Sequence, residues 1–202
     1  MSVVTVANAQ FFRVREAPKH DIAVSMGFGS SLFTQDHFSS CPSIRNSGVA
    51  MEVLDSYEWY DDNSINVSYH YSLSDRLGIG LQFGYGEGGW EVVASHYCHS
   101  SLANMEYSSF YFMPSGRWFW WNRAHFGGYT RVAAGIGFLW EKENDCNLHD
   151  DIDFTCGKRK SAKFAYQLCG LGLEWGGELI RGFAEAGYGV QGYITIGVKA
   201  TL

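Results

Sequence analysis

His70 and Ser72 stand two positions apart, and Glu106 follows further along, so the chain holds the three residue types from which a hydrolase assembles base, nucleophile and acid. A spacing of two puts the histidine and the serine on one face of an extended strand. Nothing in the spacing brings Glu106 to them, and a nucleophile works only within hydrogen-bond reach of its base. His70 therefore reads better as an interior histidine with a polar partner. Cys98 with His96 or His99 offers two zinc-binding groups, but no second ligand pair at suitable spacing follows. Asp145, Asp150, Asp151 and Asp153 crowd enough carboxylates for a calcium ion without matching an EF-hand loop, and they read as a solvated acidic tip. No catalytic residue, metal or cofactor is expected.

The elements that carry these residues have a two-residue period. In 192–202, Ile194, Ile196, Val198, Ala200 and Leu202 alternate with Tyr193, Thr195, Gly197, Lys199 and Thr201. Ile65, Val67, Tyr69 and Tyr71 alternate with Asn66, Ser68 and His70, and Leu77, Ile79, Leu81 and Phe83 alternate with Gly78, Gly80 and Gln82. Such runs, bounded by turn residues, give eight candidate strands at 21–33, 63–73, 75–87, 102–113, 125–141, 162–175, 181–189 and 192–202. The chain of 202 residues, 46% apolar and 16% aromatic, fits one folded domain at 21–202. The lead segment 1–20 contains Ala7-Asn8-Ala9, which has the small-residue form of a secretory cleavage site without the charged start and apolar centre that normally precede one. Mean hydropathy is −0.14, and there is no apolar run near the ~18 residues of a spanning helix. A net charge of −6 without clustered Lys and Arg argues against a nucleic-acid partner.

Connection lengths add topology. The segments 34–62, 88–101 and 142–161 are long, 114–123 is read as a middling turn, and the rest are short. Long loops on one side and tight turns on the other are the pattern of an all-β, antiparallel, up-and-down transmembrane barrel, with both chain ends on the tight side. Trp118, Trp120 and Trp121 would then form part of an aromatic girdle at the membrane boundary. A soluble lipocalin-like barrel shows the same alternation turned inside out, taking up a small apolar ligand. The polar face decides between the two. It is built from Ser25, Gly27, Asn66, Ser68, Gly80, Gly84, Gly135 and Gly197, small residues that suit a narrow lumen better than a water-facing sheet.

At the C-terminal end, the run from Gly182 through Tyr188, Gln191 and Gly192 into Tyr193-Ile-Thr-Ile-Gly-Val-Lys-Ala-Thr-Leu202 resembles the closing hairpin of small outer membrane β-barrel proteins of the OmpA/OmpX-like type. The coarse pattern extends the likeness over most of the chain from Asp21. The family usually ends in Phe, where this chain ends in Leu202. The resemblance implies an eight-stranded barrel in the outer membrane of a Gram-negative bacterium, with long extracellular loops and short periplasmic turns. It further implies a non-enzymatic envelope protein, structural or adhesive, with lipid or lipopolysaccharide around it, an unidentified surface partner, and a single copy per unit. A lipid A-modifying barrel enzyme, using a Ser, a His and an acidic residue, is the alternative.

Two groups of residues would then have set roles. His70, Gln82, Glu106, Arg131, Glu185 and Lys199 are placed on the lumen face, where buried charges must find partners of opposite sign. Cys41, Cys98, Cys146 and Cys156 fall in the long loops, which are oxidising territory outside the cell. Four cysteines allow three pairings. Proximity favours Cys146 with Cys156 and, by remainder, Cys41 with Cys98, while four free thiols remain an open alternative.

Overall fold

In the computed structural model, the described residues are 20–29, 54–59, 63–94, 100–123, 125–144 and 158–202. They form nine strands: β1 (His20–Phe28), β2 (Leu54–Trp59), β3 (Asn63–Ser72), β4 (Leu77–Ala94), β5 (Ser100–Asn122), β6 (Phe126–Asn144), β7 (Lys158–Gly176), β8 (Ile180–Gly189) and β9 (Ile194–Thr201). Every pairing is antiparallel. The order β4-β3-β1-β9-β8-β7-β6-β5 returns to β4, so eight strands close into a cylinder with no free edge around its waist. β2 extends the line of β3 and pairs with the upper part of β4. Closure joins the two ends of the described chain, because β1 and β9 run side by side from Asp21 opposite Thr201 to Phe28 opposite Ile194.

The alternation sorts side chains by size as well as polarity. Outward positions carry the bulk: Phe83 is 55% exposed, Ile194 53% and Val198 55%. These values rule out a soluble lipocalin-like barrel, in which the same residues would fill the interior. Inward positions are small wherever a large neighbour needs the space. A Cβ on Gly84 would run into the Tyr111 ring, and one on Gly172 into the Tyr129 ring. Glycine weakens a strand, and here that weakness is offset by a tyrosine of the neighbouring strand, paired with the glycine in register, that packs over it.

Several strands are longer than the apolar pattern predicts. The segment 114–123, expected as a turn, continues β5, and the tight turn lies after it. Pro114 tolerates this position because it stays in register with Leu81 of β4, while the β5–β6 register passes from Phe112 to Ser115 without a partner for it. A bulge follows between Phe119 and Trp121, which turns both Trp120 and Trp121 outward. The expected loop 88–101 is mostly strand, and the expected loops 34–62 and 142–161 also contain strand at 54–59, 142–144 and 158–161. As a result β4, β5, β6 and β7, with β2, rise beyond the level at which β8 and β9 turn. β7 meets β8 only from Gln167 onward. The first strand ends earlier than expected, at Phe28, where Gly29 takes φ of +73°.

Candidate functional site

The interior holds two polar networks, stacked along the barrel axis. The lower one begins at Asp21 on β1. Arg117 of β5 donates to Asp21 Oδ2 at 2.5 Å, Thr201 Oγ1 donates to Oδ1 at 3.1 Å, and Lys199 Nζ lies 3.5 Å from Oδ2. Lys199 also pairs with Glu174 Oε2, whose second oxygen accepts from Arg181 Nη1 at 2.7 Å. Arg181 is fully buried and also donates to the carbonyls of Gly177 and Arg123, at 3.0 and 3.1 Å. The Arg117 guanidinium stacks over Phe119 and Tyr129, 5.0 and 5.4 Å from the ring centroids. Five strands thus meet in one chain of alternating charges, the arrangement that a dry interior demands.

The upper network is organised by the β8–β9 turn, which folds inward. Gly192 takes φ of +102° with its Cα against the Phe28 backbone, a place that a side chain could not occupy. This drives Gln191 into the lumen, where it is 1% exposed. Its amide donates to Gln82 Oε1 at 3.1 Å and its carbonyl accepts from Arg131 Nη2 at 2.6 Å. Its backbone N–H donates to Gln167 Oε1 at 2.9 Å, and its backbone carbonyl accepts from Ser64 at 3.2 Å. Arg131 pairs with Glu185, which also accepts from the Tyr129 hydroxyl at 2.7 Å. Tyr111 of β5 lies over Gly84 of β4 and donates to Asn66 of β3. Between the two networks lies a cavity of about 20 Å³, lined among others by Ser25, Ser68, His70, Arg117 and Arg131. That is room for about one water. Among the described residues, the side chains of the two networks fill the lumen around this cavity.

Of the residues predicted for this interior, His70, Gln82, Arg131, Glu185 and Lys199 point inward and are buried. Gln82, Arg131 and Glu185 come together around Gln191. Lys199 belongs to the lower cluster, and His70 meets Ser115 Oγ at 3.2 Å. Glu106 is a correction: it is exposed on the outer face, because Tyr107, Ser109, Tyr111 and Met113 set the inward phase of β5. Arg76 is exposed in the turn after β3. The hydrolase set of His70, Ser72 and Glu106 is therefore not assembled. Among the described residues, no group of three or more His, Cys, Asp or Glu side chains is placed to hold a metal. Trp118, Trp120 and Trp121 are exposed on the outer wall near the tight turns. Cys41, Cys98, Cys146 and Cys156, with the acidic run 145–153, lie outside the described residues, and Cys169 is a buried free thiol.

Sequence reading missed Asp21, Arg117, Gln167, Glu174, Arg181 and Gln191. Arg117 and Gln191 sit in segments read as turns. The signal for Arg117 was present, since Ser115, Arg117 and Phe119 alternate with Trp118 and Trp120.

Fold and interior together define a class: a closed eight-stranded β-barrel with a greasy outer wall and a charged, sealed core. No protein-family model matches the chain, and no curated protein matches it in sequence. Among solved structures, it is similar to the N-terminal β-barrel domain of Pseudomonas aeruginosa OprF, at 13% identity and a TM-score of 0.41, over 92% of this chain and 98% of that one. It is also similar to Ail, the attachment invasion locus protein of Yersinia pestis, solved with the heparin analogue sucrose octasulfate. There the identity is 12% and the TM-score 0.44, over 90% of this chain and 94% of that one.

Proposed function

We propose that residues 21–202 form an integral barrel of a Gram-negative outer membrane, acting without catalysis as a structural or surface-recognition element of the envelope. The observation that carries this reading is the continuous apolar outer wall. On β6 the outward residues Val132, Ala134, Ile136, Phe138 and Trp140 run upward from Thr130, which lies opposite Trp118. At ~3.3 Å per residue and a tilt of about 40°, that stretch spans about 25 Å, the height of the apolar band of a membrane barrel. Exposed apolar patches on water-soluble monomers rarely exceed a few hundred Å², and a ring of this size requires acyl chains.

The sealed core supports a scaffold rather than a pore, and the lengthened strands β4 to β7 supply a surface above the membrane on which recognition would take place. The protein works as a single copy, since the barrel leaves no unpaired strand at membrane depth to be covered by another. Cell fractionation combined with protease treatment of intact cells tests the reading. The protein should fractionate with the outer membrane, migrate differently on gels before and after heating, and be cut only between β1 and β3, β4 and β5, or β6 and β7. Monodisperse behaviour without detergent would refute it.

A further inference from the structure

Among the described residues, the outer wall carries a cluster of like charge where the apolar band ends. Lys142 of β6 is directly opposite Lys158 of β7, and both are exposed. Lys160, also exposed, pairs in register with Trp140 and so follows two residues along the same face as Lys158. Directly opposed residues on an antiparallel pair hold their Cβ atoms about 5 Å apart, and like charges in that relation repel. Among the described side chains, one outward carboxylate, Glu106 of β5, lies opposite Lys142 on its other side. The next outward acid, Glu87 of β4, is tied to Tyr85, whose hydroxyl donates to it at 3.1 Å. Among the described side chains, three ammonium groups against one carboxylate leave a local excess of two positive charges, on a chain whose net charge is −6.

The depth of this cluster is fixed by its neighbours. Trp140 packs edge-on against Phe110, with ring centroids 5.3 Å apart, and Phe164 is exposed on the same face of β7 below Lys160. Tryptophans on a membrane barrel sit at the level of the headgroups. Lys160 shares that level and Lys142 and Lys158 lie just above it. Their ammonium groups therefore stand at the height of lipid phosphates and point away from the barrel.

We propose that Lys142, Lys158 and Lys160 form a site for a phosphate-bearing glycolipid headgroup in the outer leaflet, the anion relieving the repulsion between the opposed lysines. The proposal rests on the membrane reading above. A phosphate bridging two ammonium groups needs no side chain to move into the lumen, and its acyl chains would lie along Phe138 and Phe164.

The test reconstitutes the full chain in phosphatidylcholine vesicles doped with bisphosphorylated lipid A or with its dephosphorylated form, and counts retained glycolipid per barrel by native mass spectrometry. At roughly fivefold per net charge, wild type should prefer the phosphorylated form by about 30-fold. The K142Q/K158Q/K160Q variant should lose that preference, and Glu106→Gln should increase it about fivefold. Millimolar inorganic phosphate should leave retention unchanged. Equal retention of both lipids by wild type, an unaffected triple variant, or displacement by inorganic phosphate would each overturn the site. Heat-dependent migration, read on the same samples, reports separately whether the barrel has inserted, so failure of the membrane reading is distinguishable from failure of the site.

Discussion

Glu174 is the residue whose loss should be felt most, because each of its two oxygens holds a different buried cation. One oxygen accepts from Arg181 at 2.7 Å and the other pairs with Lys199. Glu174→Gln keeps the shape and removes the charge. Arg181 then loses the carboxylate at 2.7 Å, and Lys199 keeps Asp21 at 3.5 Å, an oxygen that Arg117 already occupies at 2.5 Å. Breaking a buried pair by removing one partner costs about 3 to 5 kcal/mol, and here two cations lose a partner, so the upper end of that range is expected. The measurement is urea unfolding of the barrel in lipid, followed by tryptophan fluorescence and by the folded band on unheated gels. A second variant separates charge from packing. Adding Arg181→Met to Glu174→Gln removes one of the two cations that lose a carboxylate, and the double variant should be more stable than the sum of the two single losses by at least ~1.5 kcal/mol. If Glu174→Gln costs less than about 1 kcal/mol, water must reach these charges and the sealed lumen is wrong.

On the outer wall, Ile136→Arg near the middle of the apolar band should cost about 2 to 4 kcal/mol, whereas Lys142→Arg should be neutral in the same unfolding assay. Gly84→Val forces a branched side chain into the space of the Tyr111 ring, and the heat-resistant folded band should be absent or greatly reduced after refolding. Gln191→Ala removes the link between Gln82 and Arg131 and should lower unfolding stability by about 1 to 3 kcal/mol, with no change in membrane localisation. With Cys41, Cys98, Cys146 and Cys156 replaced by serine, Cys169 should resist a water-soluble maleimide until the barrel is unfolded, since it is 1% exposed.

The barrel was legible in the sequence where one face of each strand meets an apolar surface and the other a crowded interior. Ile65 to Tyr71 and Ile194 to Leu202 alternate without error, and their partners on β1 fall into the register that the phase implies. Legibility stopped where that contrast stops. Residues 158–163 are mostly basic, so nothing in their hydropathy marks a strand, although β7 begins at Lys158. The segment 114–123 was obscured differently: a proline and a dense aromatic run imitate a boundary, while the alternation of Ser115, Arg117 and Phe119 continues beneath it. Of the site, individual inward residues were readable from strand phase, but their grouping was not. Gln191 is the clearest case. It becomes the hub of the upper network only because the backbone at Gly192 bends inward, a tertiary event without a hydropathic signature. Glu106 went wrong because Ala103, Met105 and Tyr107 alternate with Asn104 and Glu106 as an outward apolar row would, whereas Tyr107 is buried inside the barrel.

The inverted polarity of the wall is tested most directly by placing spin labels singly at Val67, Ile136, Ile196, Gln82 and Ser109 in lipid-reconstituted protein, and measuring collision with oxygen and with a polar nickel chelate. Labels at the first three positions should collide with oxygen and be shielded from the chelate, while those at Gln82 and Ser109 should be shielded from both. Chelate access at Ile136 equal to that of a label in free solution would contradict the account.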